Sequence, residues 1–210
     1  MTKLILVRHA QTIDNIKFIL AGSIDSKISD IGRKQIKYLT NYLKDLNIDS
    51  IYTTTLSRTK ETVLEISKLK NIDIIEVENL NEINFGSFEG MTFNDIQSLY
   101  PDEFQKIIDD GYDYKYPNGE SLVNTYDRVC KEMDKIIKNS EGKTVLICSH
   151  GGTIRNIISY LITNTYENHW NFKIDNASVT TIDITDGFSV ISKLNDTSFI
   201  NINECILSKE

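Results

Sequence analysis

The 210-residue chain is poor in the residues that mark special environments. Its three cysteines, Cys130, Cys148 and Cys205, are an odd number in no metal-ligand spacing. That argues against a disulfide framework and fits buried, reduced thiols in a cytoplasmic protein. Positive charge is in the minority, with 23 Lys+Arg against 30 Asp+Glu and a net charge of −7, so no basic face announces a nucleic-acid partner. Long apolar runs are also missing. The first, Leu4-Ile5-Leu6-Val7, stops at Arg8, too short for a signal-peptide core or a membrane span, and no membrane association is expected. With 40% apolar and 25% charged residues, the composition matches one ordinary globular domain. Only three histidines (His9, His150, His169) and five arginines (Arg8, Arg33, Arg58, Arg128, Arg155) occur, so their placement carries information.

What is present alternates between two periods. Leu4 to Val7, Ser50 to Thr54, Ile72 to Val77 and Thr144 to Cys148 read as short strands. Ser29 offers an N-cap to a helix carrying Ile36, Leu39 and Leu43; Leu56, Thr59, Val63 and Ile66 share a second helical face; Leu122, Tyr126, Val129, Met133 and Ile136 mark a long third. A fourth helix runs through Ile154, Ile157 and Leu161, and Asp186-Gly187 joins a closing hairpin. The stretch from Phe85 to Asn118 mixes aromatics with acids and predicts two short helices, near 93–99 and 102–109. The pattern predicts an α/β, three-layer sandwich: a mostly parallel sheet flanked by helices, with a small helical lid insertion at about 85–118.

Polar residues then fall at equivalent places. Arg8-His9 ends the first strand, Arg58 lies just beyond the second, and His150 follows the strand ending at Cys148. Ligands of open α/β sheets bind at the carboxyl ends of strands. Guanidinium forks suit phosphate oxygens, and Gly151-Gly152 at a helix start adds backbone donors for an anion. No carboxylate cluster with metal spacing accompanies them, so no metal and no cofactor is expected.

Beyond these positions, Leu6-Val7-Arg8-His9-Ala10-Gln11-Thr12 resembles the signature of the histidine phosphatase superfamily, also called phosphoglycerate mutase-like. The resemblance covers nearly the whole chain. Asn15 matches an asparagine seven positions after Arg8. Gly22 to Asp25 with Ile28 to Gly32, Leu56 to Thr62, Leu80 to Gly90, Pro117 to Ser121, and Ser149 to Gly152 resemble further family blocks, in family order. The resemblance implies His9 as a nucleophile forming a phosphohistidine, with Arg8, Arg58 and His150 around the transferring group. It implies Glu82 as proton donor, and Asn15, Gly22 and Gly151 as phosphate contacts. The family's activity would be metal-independent hydrolysis of small phosphorylated metabolites. Branches similar to α-ribazole phosphatases and broad-specificity phosphatases fit best. A 2,3-bisphosphoglycerate-dependent mutase and a non-catalytic phosphoprotein-binding member are the alternatives. Ala10 departs from the commonest glycine; a positive φ there would cost about 1 kcal/mol. Thr59, Glu61 and Phe88 also depart from the pattern, without removing a proposed group.

Other signals read as structural. Cys148 and Arg155 superficially resemble a cysteine-phosphatase loop, but six residues separate them, one more than that loop has. Asp109-Asp110-Gly111 lacks a calcium ligand ladder, and the Asn176 and Asn195 sequons carry no meaning without a secretory signal. Arg33, Arg128 and Arg155 are expected on exposed helix faces, and His169 in packing. A homodimer through an exposed strand is compatible with the pattern, although no residue marks it.

Overall fold

The structure, a computed structural model, describes residues 1–201, so Cys205 lies outside the described residues. β1 (Thr2–Arg8) is followed by a single helical turn, α1 (Ile13–Ile16), and by α2 (Asp30–Leu43). β2 (Ser50–Thr53), α3 (Ser57–Lys70) and β3 (Ile74–Glu76) come next. The aromatic stretch holds α4 (Phe93–Leu99) and α5 (Pro101–Asp110). Alternation then resumes with α6 (Leu122–Asn139), β4 (Thr144–Ser149) and α7 (Gly151–Thr163), before β5 (Val179–Thr185) and β6 (Phe188–Asp196).

The strands form one sheet in the order β3-β2-β4-β1-β5-β6. Its β3, β2, β4 and β1 run parallel, while β5 and β6 add an antiparallel edge. Helices cover both faces. Leu4, Leu6, Val145 and Ile147 pack with Val129 and Met133 of α6 and Ile154 and Ile157 of α7. Their alternating neighbours Ile5, Val7, Leu146 and Cys148 pack with Leu39 and Leu43 of α2 and Val63 and Ile66 of α3. A strand buried on both faces needs apolar side chains at every position, which is why β1 and β4 read as continuous runs. The expected three-layer α/β architecture is therefore present.

Local chemistry fixes the boundaries. Ser29 accepts from the Gly32 N–H and caps α2, and Ser121 forms a capping box with Asn124 at α6. Asn71 and Asn164, both left-handed, end α3 and α7. Asp186 and Gly187 each have positive φ, as a two-residue turn between twisted strands requires. Residues 83–122 build their own apolar cluster, in which Ile83, Phe88, Ile96, Tyr114 and Tyr116 are buried. One close approach holds it: a Cβ on Gly86 would lie 2.0 Å from the Pro117 carbonyl oxygen. No helix among the described residues is long and apolar enough to cross a membrane.

Ala10 does not have positive φ, so the cost of a left-handed backbone does not arise there; the left-handed alanine is Ala177, φ +57°, whose N–H bonds the carbonyls of Arg8 and His9. One expectation needs correction. Cys130 is only half-buried, because it sits on α6 beside the buried stripe, whereas Cys148 is sealed within the sheet.

Candidate active site

Strand register assembles the site. Arg8 pairs with Ser149 and Thr53 with Cys148, so β1, β4 and β2 end side by side. The residues just past those ends, His9, His150 and Thr54, therefore share one edge, with the His9 N–H bonded to the Ser149 carbonyl at 2.9 Å. The His9 and His150 rings meet edge to face, 5.2 Å between centroids.

His9 is buried, and its Nδ1 lies 2.8 Å from the Ala10 carbonyl oxygen. A carbonyl only accepts, so Nδ1 carries the proton and Nε2 keeps its lone pair. Burial, then the charges of Arg58 and Arg8, hold the His9 pKa well below the usual histidine value, so the ring is neutral.

His150 is fixed by a chain of donors whose directions are forced. Arg58 Nε–H donates to His150 Nδ1 at 3.2 Å, so the His150 proton sits on Nε2 and points to Thr54 Oγ1 at 3.0 Å. Thr54 in turn bonds Thr59 Oγ1, and the Thr59 hydroxyl donates to the Leu56 carbonyl. Thr59, which departs from the family's usual alanine, thus anchors the imidazole. Burial is again the main cause that keeps His150 neutral, followed by Arg58.

The two guanidinium groups are held by carbonyls. Arg58 Nη1 donates to Ile24 and Nη2 to Gly22, at 2.6 and 2.8 Å. Arg8 Nη1 donates to the Ile174 carbonyl at 2.6 Å, while its Nε is buried with no hydrogen-bond partner. A buried charged donor without an acceptor is costly, and an anion satisfies it. Glu82 faces this cluster, its Oε2 accepting from the Gly152 N–H at 3.1 Å and its Oε1 from the Ile83 N–H at 3.2 Å. Its charge reaches both Arg8 and Arg58.

A cavity of about 810 Å³ opens onto the cluster, with Arg8, Asn15, Glu82, Gly152 and Asn176 in its wall. Asn15 Oδ1 accepts from the Thr12 N–H and from Asn176 Nδ2, which leaves Asn15 Nδ2 as a donor. Arg8, His9, Arg58, Glu82, His150 and Asn15 are thus brought together. Gly22 adjoins them through its carbonyl, which accepts from Arg58, and like His9, Arg58 and His150 it lies outside the cavity wall. Gly152, rather than Gly151, forms the cavity wall; a Cβ on Gly151 would stand 3.4 Å from Arg8 Cζ.

Several contributors were not legible in the sequence. Arg128, expected as an exposed charge, forks onto Glu120 at 2.8 and 2.9 Å and binds the carbonyls of Asn79, Asn81 and Glu82. Burial raises the Glu120 carboxyl, but Arg128 and the Asn84 N–H outweigh it and leave its pKa below the usual range. Arg155 is half-buried in the cavity wall, not on an exposed face, and Asn176 ties Asn15 to the His9 carbonyl. Apart from Glu120, eight residues from Arg128, their hydrogen-bond partners lie 17 to 167 residues away, and no local pattern announces such contacts. His169 is packed as expected, against Trp170 and Asn156. Cys148 faces the sheet interior, where burial pushes its thiol pKa up, so the thiol is inert. Among the described residues, no three His, Cys, Asp or Glu side chains converge as metal ligands.

A parallel sheet whose strand ends gather two arginines, two neutral histidines and a carboxyl group around a buried, unpaired donor defines an enzyme acting on phosphate monoesters. The chain belongs to the histidine phosphatase superfamily, branch 1, which it matches over residues 4–197. It is 34% identical to phosphoserine phosphatase 1 of Hydrogenobacter thermophilus over 94% of this chain and 93% of that one. Among solved structures it is similar to the α-ribazole phosphatase of Shigella flexneri (25% identity, TM-score 0.87, 92% and 96% of the two chains). It is also similar to the phosphoserine phosphatase of Entamoeba histolytica, solved in complex with phosphoserine (26% identity, TM-score 0.82, 95% and 100%).

Proposed function

We propose that the chain hydrolyses phosphate monoesters in two steps through a phosphohistidine on His9. The observation that carries this reading is the His9 Nδ1–H bond to Ala10, which presents a neutral Nε2 beside two guanidinium groups. The Nε2 lone pair attacks phosphorus and the ester P–O bond breaks, the leaving oxygen taking its proton from Glu82. The Glu82 carboxylate then removes a proton from water as that oxygen attacks the phosphohistidine. The N–P bond breaks, phosphate leaves, and His9 is neutral again.

Arg8, through its unpaired Nε, and Arg58 hold the phosphoryl oxygens, where fixed donors away from water stabilise developing charge. His150 accepts from Arg58 at Nδ1 and so holds that guanidinium in place, while its Nε2–H is anchored on Thr54. Asn15 Nδ2 adds a further donor, and residues 85–118 act as the lid of a single domain. The resemblance to phosphoserine phosphatases moves the preferred substrate from α-ribazole phosphate towards phosphorylated small acids.

Phosphate release from p-nitrophenyl phosphate, phosphoserine, α-ribazole phosphate and 3-phosphoglycerate, in EDTA, tests the reading. Wild-type turnover that disappears in a folded His9→Ala variant is expected. Interconversion of phosphoglycerates without phosphate release would replace it with the mutase reading, and EDTA sensitivity would overturn the metal-independent chemistry.

A further inference from the structure

The asparagines of the two sequons, Asn176 and Asn195, have partners inside the fold. Asn195, on β6, clamps Asp175 twice: its Oδ1 accepts from the Asp175 N–H at 2.7 Å, and its Nδ2 donates to Asp175 Oδ2 at 2.9 Å. That anchors a turn in which the Ile174 carbonyl accepts from Arg8 and the Ala177 N–H bonds the carbonyls of Arg8 and His9. The positive φ of Ala177 is rare for a residue with a side chain and is kept only where the surroundings over-determine it. Of residues 174–178, only Asn176 lines the cavity.

Asn176 Nδ2 carries two hydrogens, and each meets an acceptor: the His9 carbonyl and Asn15 Oδ1, both at 3.0 Å. Turning the amide over would set its oxygen against two others, so its orientation is forced. Asn15 needs this partner. It sits on α1, a single helical turn with no buried residue, and one turn does not hold itself together in water. The capping box with Thr12 ties Asn15 to its own turn. Among the described residues, Asn176 is the one side-chain partner that ties it to the strand end carrying His9. One amide thus spans from the nucleophile's own carbonyl to the group that is to meet the phosphate. Its hydrogens are spent in doing so, and it has no donor left for a phosphate oxygen.

We propose that Asn176 is a positioning residue: it holds the Asn15 amide in register with His9, Nδ2 turned towards the phosphoryl group, and acts on phosphate affinity only through Asn15. The inference rests on the reading above, in which His9 and Asn15 meet the same phosphoryl group.

A double-mutant cycle tests it, with inorganic phosphate as the probe and its Kd read by calorimetry in wild type, Asn176→Ala, Asn15→Ala and the double variant. Asn15→Ala should weaken binding roughly tenfold to a hundredfold, as the loss of a hydrogen bond to a charged group does. Asn176→Ala should weaken it roughly tenfold when Asn15 is present and by less than about twofold when it is not. The KM for p-nitrophenyl phosphate should follow the same pattern. A residue that merely supports the fold would weaken both backgrounds equally. The wild type gives a second reading that needs no folded Asn176 variant: the side-chain amide signal of Asn15, identified by its loss in Asn15→Ala, should shift when phosphate is added. Unchanged affinity in either single variant, an equal loss with and without Asn15, or an Asn15 signal indifferent to phosphate would overturn the inference while leaving the hydrolase reading intact. A wild type that neither binds phosphate nor turns over p-nitrophenyl phosphate would overturn both.

Discussion

Gly152 shows how closely single atoms are placed. A Cβ there would lie 2.5 Å from Glu82 Oε1, and the atom that must yield is the end of a flexible side chain. Gly152→Ala should therefore leave thermal stability within about 1 kcal/mol while lowering turnover of alkyl phosphates at least tenfold, because Glu82 is displaced. A variant that melts early, or one that turns over normally, would contradict that placement. Glu82→Gln removes the proton without removing the shape. Its first step should fail with alkyl phosphates yet persist with p-nitrophenyl phosphate, whose leaving group needs no proton. Stopped-flow traces should then show a nitrophenolate burst followed by slow turnover. Equal loss of the first step for both substrates would remove Glu82 from the donor role.

At the scale of elements, the loop that carries Glu82 is held by α6. Arg128 reaches across to three loop carbonyls and is neutralised by Glu120, which also accepts the Asn84 N–H. Arg128→Ala takes the counter-charge from Glu120, which keeps only the Asn84 N–H and the Thr125 hydroxyl, and removes a donor from each of those carbonyls. A loss of about 2–3 kcal/mol is expected in denaturant melts, together with reduced turnover. A variant of unchanged stability would show that the loop holds itself. The sequence could place α6 from its apolar stripe at Val129, Met133 and Ile136, because helical period is a local property. It could not assign Arg128 its partners, since 46 residues separate it from Glu82, and an arginine on a helix face looks the same whether it meets water or carbonyls. The same limit applies to Arg155 and Asn176. By contrast, Arg8, His9 and His150 were legible because each directly follows or ends an apolar strand, and the parallel register of β1 and β4 brings such ends together. Gly22 matched by position alone, and the structure gives its carbonyl to Arg58.

For the molecule as a whole, three buried neutral histidines set a pH dependence. His9, His150 and His169 all have pKa values below the usual 6.5, with burial the first cause of each. Above that pH they are neutral in both folded and unfolded chains and contribute nothing to the slope. As pH falls through 6.5 the unfolded chain takes up protons that the folded chain cannot, so stability drops by about 1.4 kcal/mol per pH unit for each histidine. Glu120 acts in the same direction at lower pH, its contribution fading as pH falls below the unfolded value towards its depressed folded pKa. The free energy of unfolding should therefore fall by several kcal/mol between pH 7 and pH 5. A flat profile over that range would mean that the imidazoles are not sealed as described.

In the proposed reaction the phosphoryl group passes through His9. The most direct measurement quenches Glu82→Gln in alkali during turnover of p-nitrophenyl phosphate and locates phosphate by peptide mass spectrometry. In this variant the first step proceeds and the second lacks its base, so the intermediate should accumulate. Alkali-stable, acid-labile phosphate is expected on the peptide carrying His9, and none when His9→Ala is added. Phosphate on Cys148 or on another residue, or full turnover by His9→Ala, would contradict it.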